Sequence, residues 1–208
     1  SADVAVGDVA PSPGLEIVVV AQDGRVRIYG ANAQSIATMR TLDRITAAPV
    51  LADIDGDGLK DIIVGSTDMK LYAWNYQGMA LPGFPLNVGS EIRAPVAVTD
   101  TLQPRIVLLT GDHRLFLINA DGSIVPNFPV VLGPSSFYAV SQPIVADFDR
   151  DSVMEIAVIA GGEHDYKLYI VEQDGRVVFR SQIQVQHPFV GQPAAADINN
   201  DGYLDIVA

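Results

Sequence analysis

The chain contains no cysteine among its 208 residues. It therefore has no disulfide, no thiolate ligand for zinc and no thiol nucleophile. Charged residues are also scarce, at 18% of the chain, whereas hydrophobic residues make up 49%. This composition excludes an intrinsically disordered chain and provides enough apolar side chain for a continuous core.

Long apolar runs are missing as well. The longest, such as residues 17–21 and 156–160, extend over about five residues, far fewer than the roughly 20 that cross a bilayer as a helix. No charged and apolar leader opens the sequence. We therefore expect no membrane insertion, and a soluble chain that is either mature or a piece of a longer protein.

Basic residues are few relative to acidic ones. The chain has 13 Lys and Arg against 25 Asp and Glu, for a formal net charge of −12. Such a chain repels polyanions, so nucleic acid is not an expected partner. Much of the acidic excess is concentrated in three short clusters, and clustering of this kind favours a bound cation.

The most informative feature is an internal repeat. The segment APVLADIDGDGLKDIIVG begins at Ala48, similar segments begin at Ala94, Gln142 and Gln192, and a divergent one begins at Asp3. The period of roughly 45 to 50 residues is typical of the blades of a β-propeller.

Each repeat contains short apolar runs rich in Val, Ile, Leu and Tyr and bounded by Gly, Asp, Asn or Pro, which predicts strands joined by tight turns. Prolines at the start of the fourth run, such as Pro85 and Pro129, suit an outermost strand because proline cannot donate a ladder hydrogen bond. The four runs of the second repeat are residues 49–54, 61–66, 70–75 and 84–88.

We predict an all-β fold, a β-propeller built from four-stranded antiparallel blades. A small sheet alone leaves both apolar faces in water, and radial stacking buries them. Tyr72 and Trp74 are expected to pack between blades rather than to form a ligand platform. The count of repeats indicates part of a propeller of seven or more blades, whose open half blade offers a route to self-association. The predicted blades cover residues 2–46, 47–92, 93–140 and 141–190, and the half blade covers 191–208.

Three repeats carry oxygen-bearing side chains at positions 1, 3, 5 and 9 of the loop between the first two strands. Two carboxylates about 4 Å apart repel by on the order of 4 kcal/mol at an effective dielectric near 20, and a divalent ion reverses that sign. Oxygen ligands at alternate positions suit Ca²⁺ before Mg²⁺. Position 7 is expected to contribute its backbone carbonyl. The predicted ligands of about three Ca²⁺ ions are Asp53, Asp55, Asp57, Leu59 and Asp61; Asp147, Asp149, Asp151, Val153 and Glu155; and Asp197, Asn199, Asp201, Tyr203 and Asp205.

Two other interpretations of the acidic loops exist. Asp, Asn and Gly are ordinary turn residues, so the loops could be metal-free turns. An EF-hand or dockerin loop is the second alternative, but it needs an acidic ligand at position 12 between helices. Val64 and Val158 occupy that position within strand-like runs, so the helical alternative fails.

The remaining two repeats have lost the cluster. The segment DVAPSPGLE keeps only Asp8 and Glu16, and the shortened VTDTLQPRI carries Arg105 near the last ligand position. We expect no ion in either loop, which suggests that the metal stabilises individual blades rather than performing chemistry common to all.

The segments DIDGDGLKDIIVG, DFDRDSVMEIAVIAG and DINNDGYLDIVA resemble the FG-GAP or VCBS-type repeats of integrin α-subunit propellers and of many bacterial secreted proteins. The resemblance covers nearly the whole chain. It is closer to the bacterial branch, because no copy keeps the Phe-Gly and Gly-Ala-Pro signature intact. It implies a propeller of typically seven blades, calcium in the loop joining the first two strands, and extracellular or cell-surface roles in adhesion, ligand recognition or support of secreted enzymes.

Catalytic motifs are absent from the sequence: it has no nucleophile elbow, Walker loop, dinucleotide fingerprint or zinc-protease helix. His113, His164 and His187 each stand beside a predicted turn or a proline and are expected to be exposed loop residues. The sequence therefore favours a non-catalytic recognition, adhesion or scaffold module with a protein or glycan ligand. The alternatives are an accessory or active-site-bearing propeller of a secreted polysaccharide lyase or hydrolase, and a purely structural spacer.

Overall fold

The computed structural model describes residues 2–99, 102–133, 139–162, 165–183 and 192–207. These residues form nineteen strands and no helix. Within these ranges, nothing has the helical length and hydropathy that a membrane crossing requires. The all-β prediction is confirmed.

The first three sheets are antiparallel meanders of four strands, in which the sequence order of the strands is also their spatial order. The first sheet comprises β1 (Ala2–Gly7), β2 (Glu16–Ala21), β3 (Arg25–Tyr29) and β4 (Ser35–Arg40). The second comprises β5 (Val50–Ala52), β6 (Asp61–Gly65), β7 (Lys70–Trp74) and β8 (Leu86–Asn87). The third comprises β9 (Ala97–Val98), β10 (Arg105–Leu109), β11 (Arg114–Asn119) and β12 (Val130–Val131).

The fourth sheet departs from this plan because two short strands together take the place of its first strand. Both β13 and β14 pair with β15, at Val140 opposite Ala160 and at Ile144 opposite Ala157. The fifth sheet has two described strands, paired antiparallel. The strands of these two sheets are β13 (Ala139–Val140), β14 (Ile144–Ala146), β15 (Glu155–Gly162), β16 (Asp165–Val171), β17 (Val177–Ile183), β18 (Ala194–Ala196) and β19 (Asp205–Val207).

The core lies between sheets rather than within any one of them. Three clusters of buried side chains each combine residues of two neighbouring sheets, first with second, second with third and third with fourth. All five residues of β6 are buried, as expected for a strand covered on both faces. The first strands contact one another from sheet to sheet, β1 with β5, β9 with β14, and β14 with β18. Sheets stacked around a common inner edge in this way form part of a β-propeller.

The expected packing of the aromatic residues on β7 is confirmed. Tyr72 and Trp74 are both 6% exposed and belong to the cluster between the first and second sheets. Their rings stack with centroids 4.9 Å apart. The proline prediction is also confirmed, because β8 and β12 are outermost strands that follow Pro85 and Pro129. Both prolines are preceded by cis peptide bonds.

The expectation that His113 is exposed is wrong. Its side chain is fully buried in the turn between β10 and β11, because the chain after β12 folds back over that turn. The amide of Leu132 donates to the carbonyl of His113 at 3.0 Å, and the amide of His113 donates to that of Thr110 at 2.9 Å. His164 and His187 lie outside the described residues.

Candidate metal centres

The three acidic loops occupy equivalent places in their sheets. They join β5 to β6, β14 to β15, and β18 to β19, and we name them by their residues as the 53–61, 147–155 and 197–205 loops. Each loop reverses the chain with left-handed residues at positions 4 and 6, which glycine adopts without steric cost. These residues are Gly56 and Gly58, Arg150 and Ser152, and Asn200 and Gly202, with φ between 62° and 90°.

The aspartate at position 1 closes each loop onto itself. In the 53–61 loop, the amides of Gly56 and Gly58 donate to the two carboxylate oxygens of Asp53 at 2.7 and 2.9 Å. In the 147–155 loop, the amides of Arg150 and Ser152 donate to Asp147 at 2.6 and 3.1 Å. The first carboxylate is therefore fixed by the backbone.

The side chains at positions 3 and 5 form Asx turns, as the metal-free interpretation expects. Asp55 Oδ1 accepts a hydrogen bond from the amide of Asp57 at 3.1 Å. Asp57 Oδ1 accepts one from the amide of Leu59 at 2.8 Å. The same bonds recur for Asp149 at 3.1 Å and for Asp151 at 2.7 Å. Each of these bonds engages Oδ1 alone, so the turns and a cation site are compatible.

The acid at position 9 is the first residue of the second strand in all three loops, and it is buried in the 53–61 and 147–155 loops. Asp61 and Glu155 are each 2% exposed. The amide of Ile54 donates to Asp61 Oδ2 at 3.0 Å, and that of Phe148 to Glu155 Oε2 at 2.7 Å. The other oxygen of Glu155, Oε1, is buried and has no hydrogen-bond partner.

The carboxylates of two loops converge. Oxygens of Asp147, Asp149, Asp151 and Glu155 all lie within 4.8 Å of one another. A second group at the same distance consists of Asp53, Asp55 and Asp61, and Asp57 lies outside it. Among the described residues, the 197–205 loop forms no such group. The roles of Asp57, of the 197–205 loop and of the position 7 carbonyls remain predictions.

Burial, with a smaller contribution from neighbouring carboxylates, raises the pKa values of the acids at position 9 in two loops. Burial raises the pKa of Asp61 to about 7, and the nearby charges of Asp55 and Asp57 add to that effect against the hydrogen bond from Ile54. Burial also raises the pKa of Glu155, and the charges of Asp149, Glu172 and Asp147 add to it. The pKa of a buried carboxyl group rises in this way when no positive charge lies beside it.

The donor set fits a metal ion. A buried carboxylate oxygen without a partner is costly, and the carboxylate that carries it belongs to a cluster with three further carboxylates of the 147–155 loop. All the donors are oxygens, which hard cations prefer. The two acidic clusters could therefore hold metal ions.

The loop between β1 and β2, which we name the 8–16 loop, stabilises its buried acid differently. Glu16 is fully buried at the start of β2. Its Oε2 accepts from the amides of Val9 and Ala10 at 2.9 and 3.0 Å, and its Oε1 accepts from the hydroxyl of Ser12 at 2.9 Å. Burial raises the pKa of Glu16, but these hydrogen bonds outweigh burial and leave that pKa below its ordinary value. No cation is needed in this loop.

In the third sheet, the first residue of the second strand is Arg105 instead of a buried acid. Its amide donates to the hydroxyl oxygen of Thr99 at 2.9 Å. Its guanidinium instead reaches the fourth sheet, where Nη1 donates to Gln173 Oε1 at 3.0 Å. The absence of a cation from this loop remains a prediction.

Sequence reasoning missed two residues of these loops. Ser12, the partner of Glu16, lies in a Ser-Pro segment that resembles an ordinary turn. Arg150 occupies position 4 of the 147–155 loop, yet its side chain contacts the 197–205 loop. Only the stacking of adjacent sheets could have shown this contact.

A groove opens beside the 53–61 loop. A cavity of about 660 Å³ lies between β5 and β9, and its lining includes Asp53, Leu102 and Gln142. A neighbouring cavity of about 480 Å³ shares Leu102 and extends to Asp55 and Asp121. Leu102 is fully exposed. The groove thus combines an apolar side chain with one edge of an acidic cluster.

Comparison with known proteins identifies the repeat. The family model of the FG-GAP-like repeat matches residues 156–208, about a quarter of the chain. No curated protein sequence matches significantly.

Solved structures match nearly the whole chain. BamB from Moraxella catarrhalis has a TM-score of 0.62 at 18% identity, with 95% of this chain and 55% of that chain covered. BBS1N, in complex with ARL6DN and soaked with lead, has a TM-score of 0.61 at 15% identity, with 98% and 59% covered. The Dos1 propeller has a TM-score of 0.60 at 14% identity, with 81% and 45% covered. The chain spans about half the length of these structures. It is therefore a repeat β-propeller structure, and its residues 156–208 carry an FG-GAP-like repeat.

Proposed function

We propose that the chain is a calcium-stabilised, non-catalytic propeller module that presents a recognition or scaffold surface to a protein or glycan ligand outside the cell. The repeat and the fold support a recognition or scaffold module in general. The calcium, the extracellular setting and the kind of ligand are the specific parts of the proposal.

The observation that carries the calcium proposal is the environment of Glu155. Its Oε1 is buried without a hydrogen-bond partner, and one of its two carboxylate oxygens lies within 4.8 Å of oxygens of Asp147, Asp149 and Asp151. A proton, a water molecule or a cation can satisfy such an oxygen, and only a cation also offsets the charge of the neighbouring acids. A divalent cation satisfies the orphaned oxygen and reverses the repulsion among all four carboxylates.

Calcium fits the donor set better than other common ions. Zinc prefers nitrogen and sulfur ligands, and the clusters offer neither. Magnesium demands a near-ideal octahedron, whereas calcium accepts six to eight oxygens in flexible geometry. Asp147, Asp149, Asp151 and Glu155 would hold one ion, and Asp53, Asp55 and Asp61 another. When bound, the ion supplies positive charge that ties the loop to the start of the second strand.

The extracellular part of the proposal is supported only by the exposure of the loops. Asp55, Asp149 and Asp151 are exposed, so an ion there exchanges with solvent. Extracellular calcium modules typically bind with dissociation constants of about 10⁻⁴ to 10⁻³ M, a range that suits a site in exchange with solvent. In this proposal, extracellular calcium keeps the module rigid in the compartment where it binds its ligand.

The ligand surface that we favour is the groove beside the 53–61 loop. It presents Leu102 and Pro104 between the edges of two sheets, and one of its walls is an acidic loop. BBS1N was solved in complex with ARL6DN, so one structure with this fold has a protein ligand. By analogy of fold alone, a protein ligand is the first kind to test.

Thermal unfolding in calcium and in excess chelator tests the calcium proposal. A ligand at 100 times its dissociation constant adds about 2.7 kcal/mol per site, so the melting temperature should rise clearly with calcium. Magnesium at the same concentration should raise it less. Equal melting temperatures in calcium and in chelator would refute the proposal.

Two substitutions assign the stabilisation to the loops. Asp149→Ala and Asp55→Ala should each lower stability in calcium and leave it nearly unchanged in chelator. Asp121→Ala is the matched control, since Asp121 caps a turn of the third sheet by accepting from Ser123. Asp121→Ala should lower the stability of the protein by the same small amount in calcium and in chelator. Equal losses in both buffers for Asp149→Ala would argue for a metal-free turn.

A further inference from the structure

One glutamine amide joins the 147–155 loop to the third sheet. Gln173 lies in the turn between β16 and β17, and its Nε2 donates to the backbone carbonyl of Met154 at 2.9 Å. Its Oε1 accepts from Nη1 of Arg105 at 3.0 Å. Both ends of the amide are therefore engaged, one by the acidic loop of its own sheet and the other by the neighbouring sheet.

The carbonyl that Gln173 holds lies between two predicted ligands of the cation site. Met154 stands at position 8, after Val153 and before Glu155. Because a peptide unit is planar, the orientation of the Met154 carbonyl also fixes that of the Glu155 amide. On the other side of β15, Glu155 pairs with Ala146 of β14. The backbone that carries the Glu155 carboxylate is thus held from two sides.

Glu155 depends on its backbone more than the other acids of the site do. Its side chain is 2% exposed at the start of β15, whereas Asp149 and Asp151 are exposed. A side chain in a close-packed interior has little freedom to adjust to an ion. The place of its oxygens in the site is therefore set by the backbone, which Gln173 holds.

The first three sheets have no amide side chain at the corresponding place. Gln173 comes directly after the residue that lies opposite Glu155 in the ladder between β15 and β16. The equivalent residues of the first three sheets are Ala31, Tyr76 and Ala120. The contact is therefore a property of the 147–155 loop and its neighbours, and not of the repeat.

We infer that Gln173, oriented by Arg105, is a positioning residue for the cation site of the 147–155 loop. A guanidinium only donates hydrogen bonds, so Arg105 holds Oε1 of the amide towards the third sheet and leaves Nε2 for Met154. The third sheet has Arg105 in place of a buried acid, and this residue supports the site of the fourth sheet. The inference rests on the proposed calcium site and adds the residues outside the loop that hold it in shape.

The site is measured by itself in a parent chain that carries Asp55→Ala and Asp201→Ala. These substitutions remove an acid from each of the other two acidic loops, so calcium titrated by calorimetry reports on the 147–155 loop. In this chain, Gln173→Leu removes both hydrogen bonds at similar size. We expect the dissociation constant for calcium to rise about tenfold, the usual loss when a residue that orients a ligand is removed. Gln182→Leu is the matched control, because Gln182 is exposed at the end of β17 away from the loop, and it should leave the dissociation constant unchanged.

Two further variants check the source of the effect. Gln173→Ala should raise the dissociation constant as Gln173→Leu does, and thermal melting in chelator shows that each variant is folded. Arg105→Met should raise it by a smaller factor, because the amide of Gln173 then lacks its fixed partner. Arg105→Lys keeps a donor and should lie between Arg105→Met and the parent chain. A lower dissociation constant in Arg105→Met would show that the guanidinium acts only by repelling the ion, and would overturn its role.

A double-mutant cycle with Glu155→Gln separates positioning from a general effect on the fold. If Gln173 acts through Glu155, Gln173→Leu should weaken calcium binding in the parent chain and add no further loss in Glu155→Gln. An unchanged dissociation constant in Gln173→Leu, or equal losses in both backgrounds, would overturn the inference and leave the calcium site intact. Failure of the parent chain to bind calcium, or binding that persists in Asp149→Ala, would overturn the proposed site together with this inference.

Discussion

The 8–16 and 147–155 loops bury a glutamate at the same place and stabilise it by different means. Glu16 and Glu155 both begin the second strand of their sheets and are 0% and 2% exposed. Glu16 receives two amides and the Ser12 hydroxyl, whereas Glu155 receives one amide and leaves Oε1 without a partner. The first loop carries its own hydrogen-bond donors, and the second brings three more carboxylates.

The comparison separates two features: a buried acid begins the second strand of the first, second and fourth sheets, whereas converging carboxylates occur, among the described residues, in the 53–61 and 147–155 loops. A carboxylate at the start of the second strand ties the loop back through an amide at position 2 in the 53–61, 147–155 and 197–205 loops. The groups that satisfy the remaining oxygen of this carboxylate differ from loop to loop. Loss of the acidic cluster in one sheet therefore need not weaken that sheet, provided that a hydroxyl and amides take over.

The largest effect is expected from Glu16→Ala. The substitution leaves the buried amides of Val9 and Ala10 without an acceptor, and each unsatisfied group costs about 1 to 3 kcal/mol. We expect a loss of about 3 kcal/mol in the free energy of unfolding, measured by urea denaturation. The loss should be the same in calcium and in chelator. Recovery of stability by calcium would show that the two loops do not differ as described.

Glu155→Gln should change stability in opposite senses in the two buffers. In chelator it removes a buried unpaired charge, so stability should stay the same or rise. In calcium at 100 times the dissociation constant it should cost up to about 2.7 kcal/mol, because a ligand is lost. Thermal melting in both buffers measures this. Ser12→Ala is the matched substitution in the 8–16 loop, and it should lower the stability of the protein by the same amount in calcium and in chelator. An equal loss of stability in both buffers for Glu155→Gln would contradict the account.

The two kinds of loop should also respond to pH in opposite directions. The pKa of Asp61 is raised from 3.8 to about 7, so without calcium its contribution is fully present below about pH 4 and declines as pH rises towards 7. The pKa of Glu16 is lowered, so its contribution is present above the ordinary value near 4.5 and declines as pH falls. Unfolding free energies of wild type minus Asp61→Asn, and of wild type minus Glu16→Gln, measured in chelator from about pH 2.5 to 8, separate the two slopes. Parallel slopes would be incompatible with these assignments.

The smallest effect is expected at position 6 of the 147–155 loop. Ser152 has φ 70° where the other loops have Gly58 and Gly202. Relief of the left-handed strain is partly cancelled by the entropy that glycine loses on folding. Ser152→Gly should therefore stabilise the protein by a few tenths to about 1 kcal/mol in denaturant titrations. Destabilisation would indicate that the serine side chain has a role beyond the turn.

Much of the fold was predictable because it depends on local patterns repeated several times. Strand positions follow from short apolar runs bounded by turn residues, and the acidic loops follow from spacing alone. The burial of His113 was not predictable, because it depends on how the segment after β12 returns over a turn. The division of the first strand of the fourth sheet into β13 and β14 has no counterpart in the repeat pattern.

The details of the sites depend on contacts that spacing does not encode. The four acids of the 53–61 loop have the spacing expected of ligands, yet Asp57 lies outside the group that converges. The contact of Arg150 with Tyr203 joins residues 53 positions apart on different sheets. The Ser12 hydroxyl became recognisable as a partner of Glu16 only once the loop path was known.

The most direct test is a crystal structure of the chain grown in calcium. The account predicts an ion within about 2.3 to 2.6 Å of Glu155 Oε1 and of oxygens from Asp147, Asp149 and Asp151, and no ion beside Glu16. A calcium-saturated crystal in which Glu155 Oε1 is bonded only to water or to a protonated neighbour would contradict it.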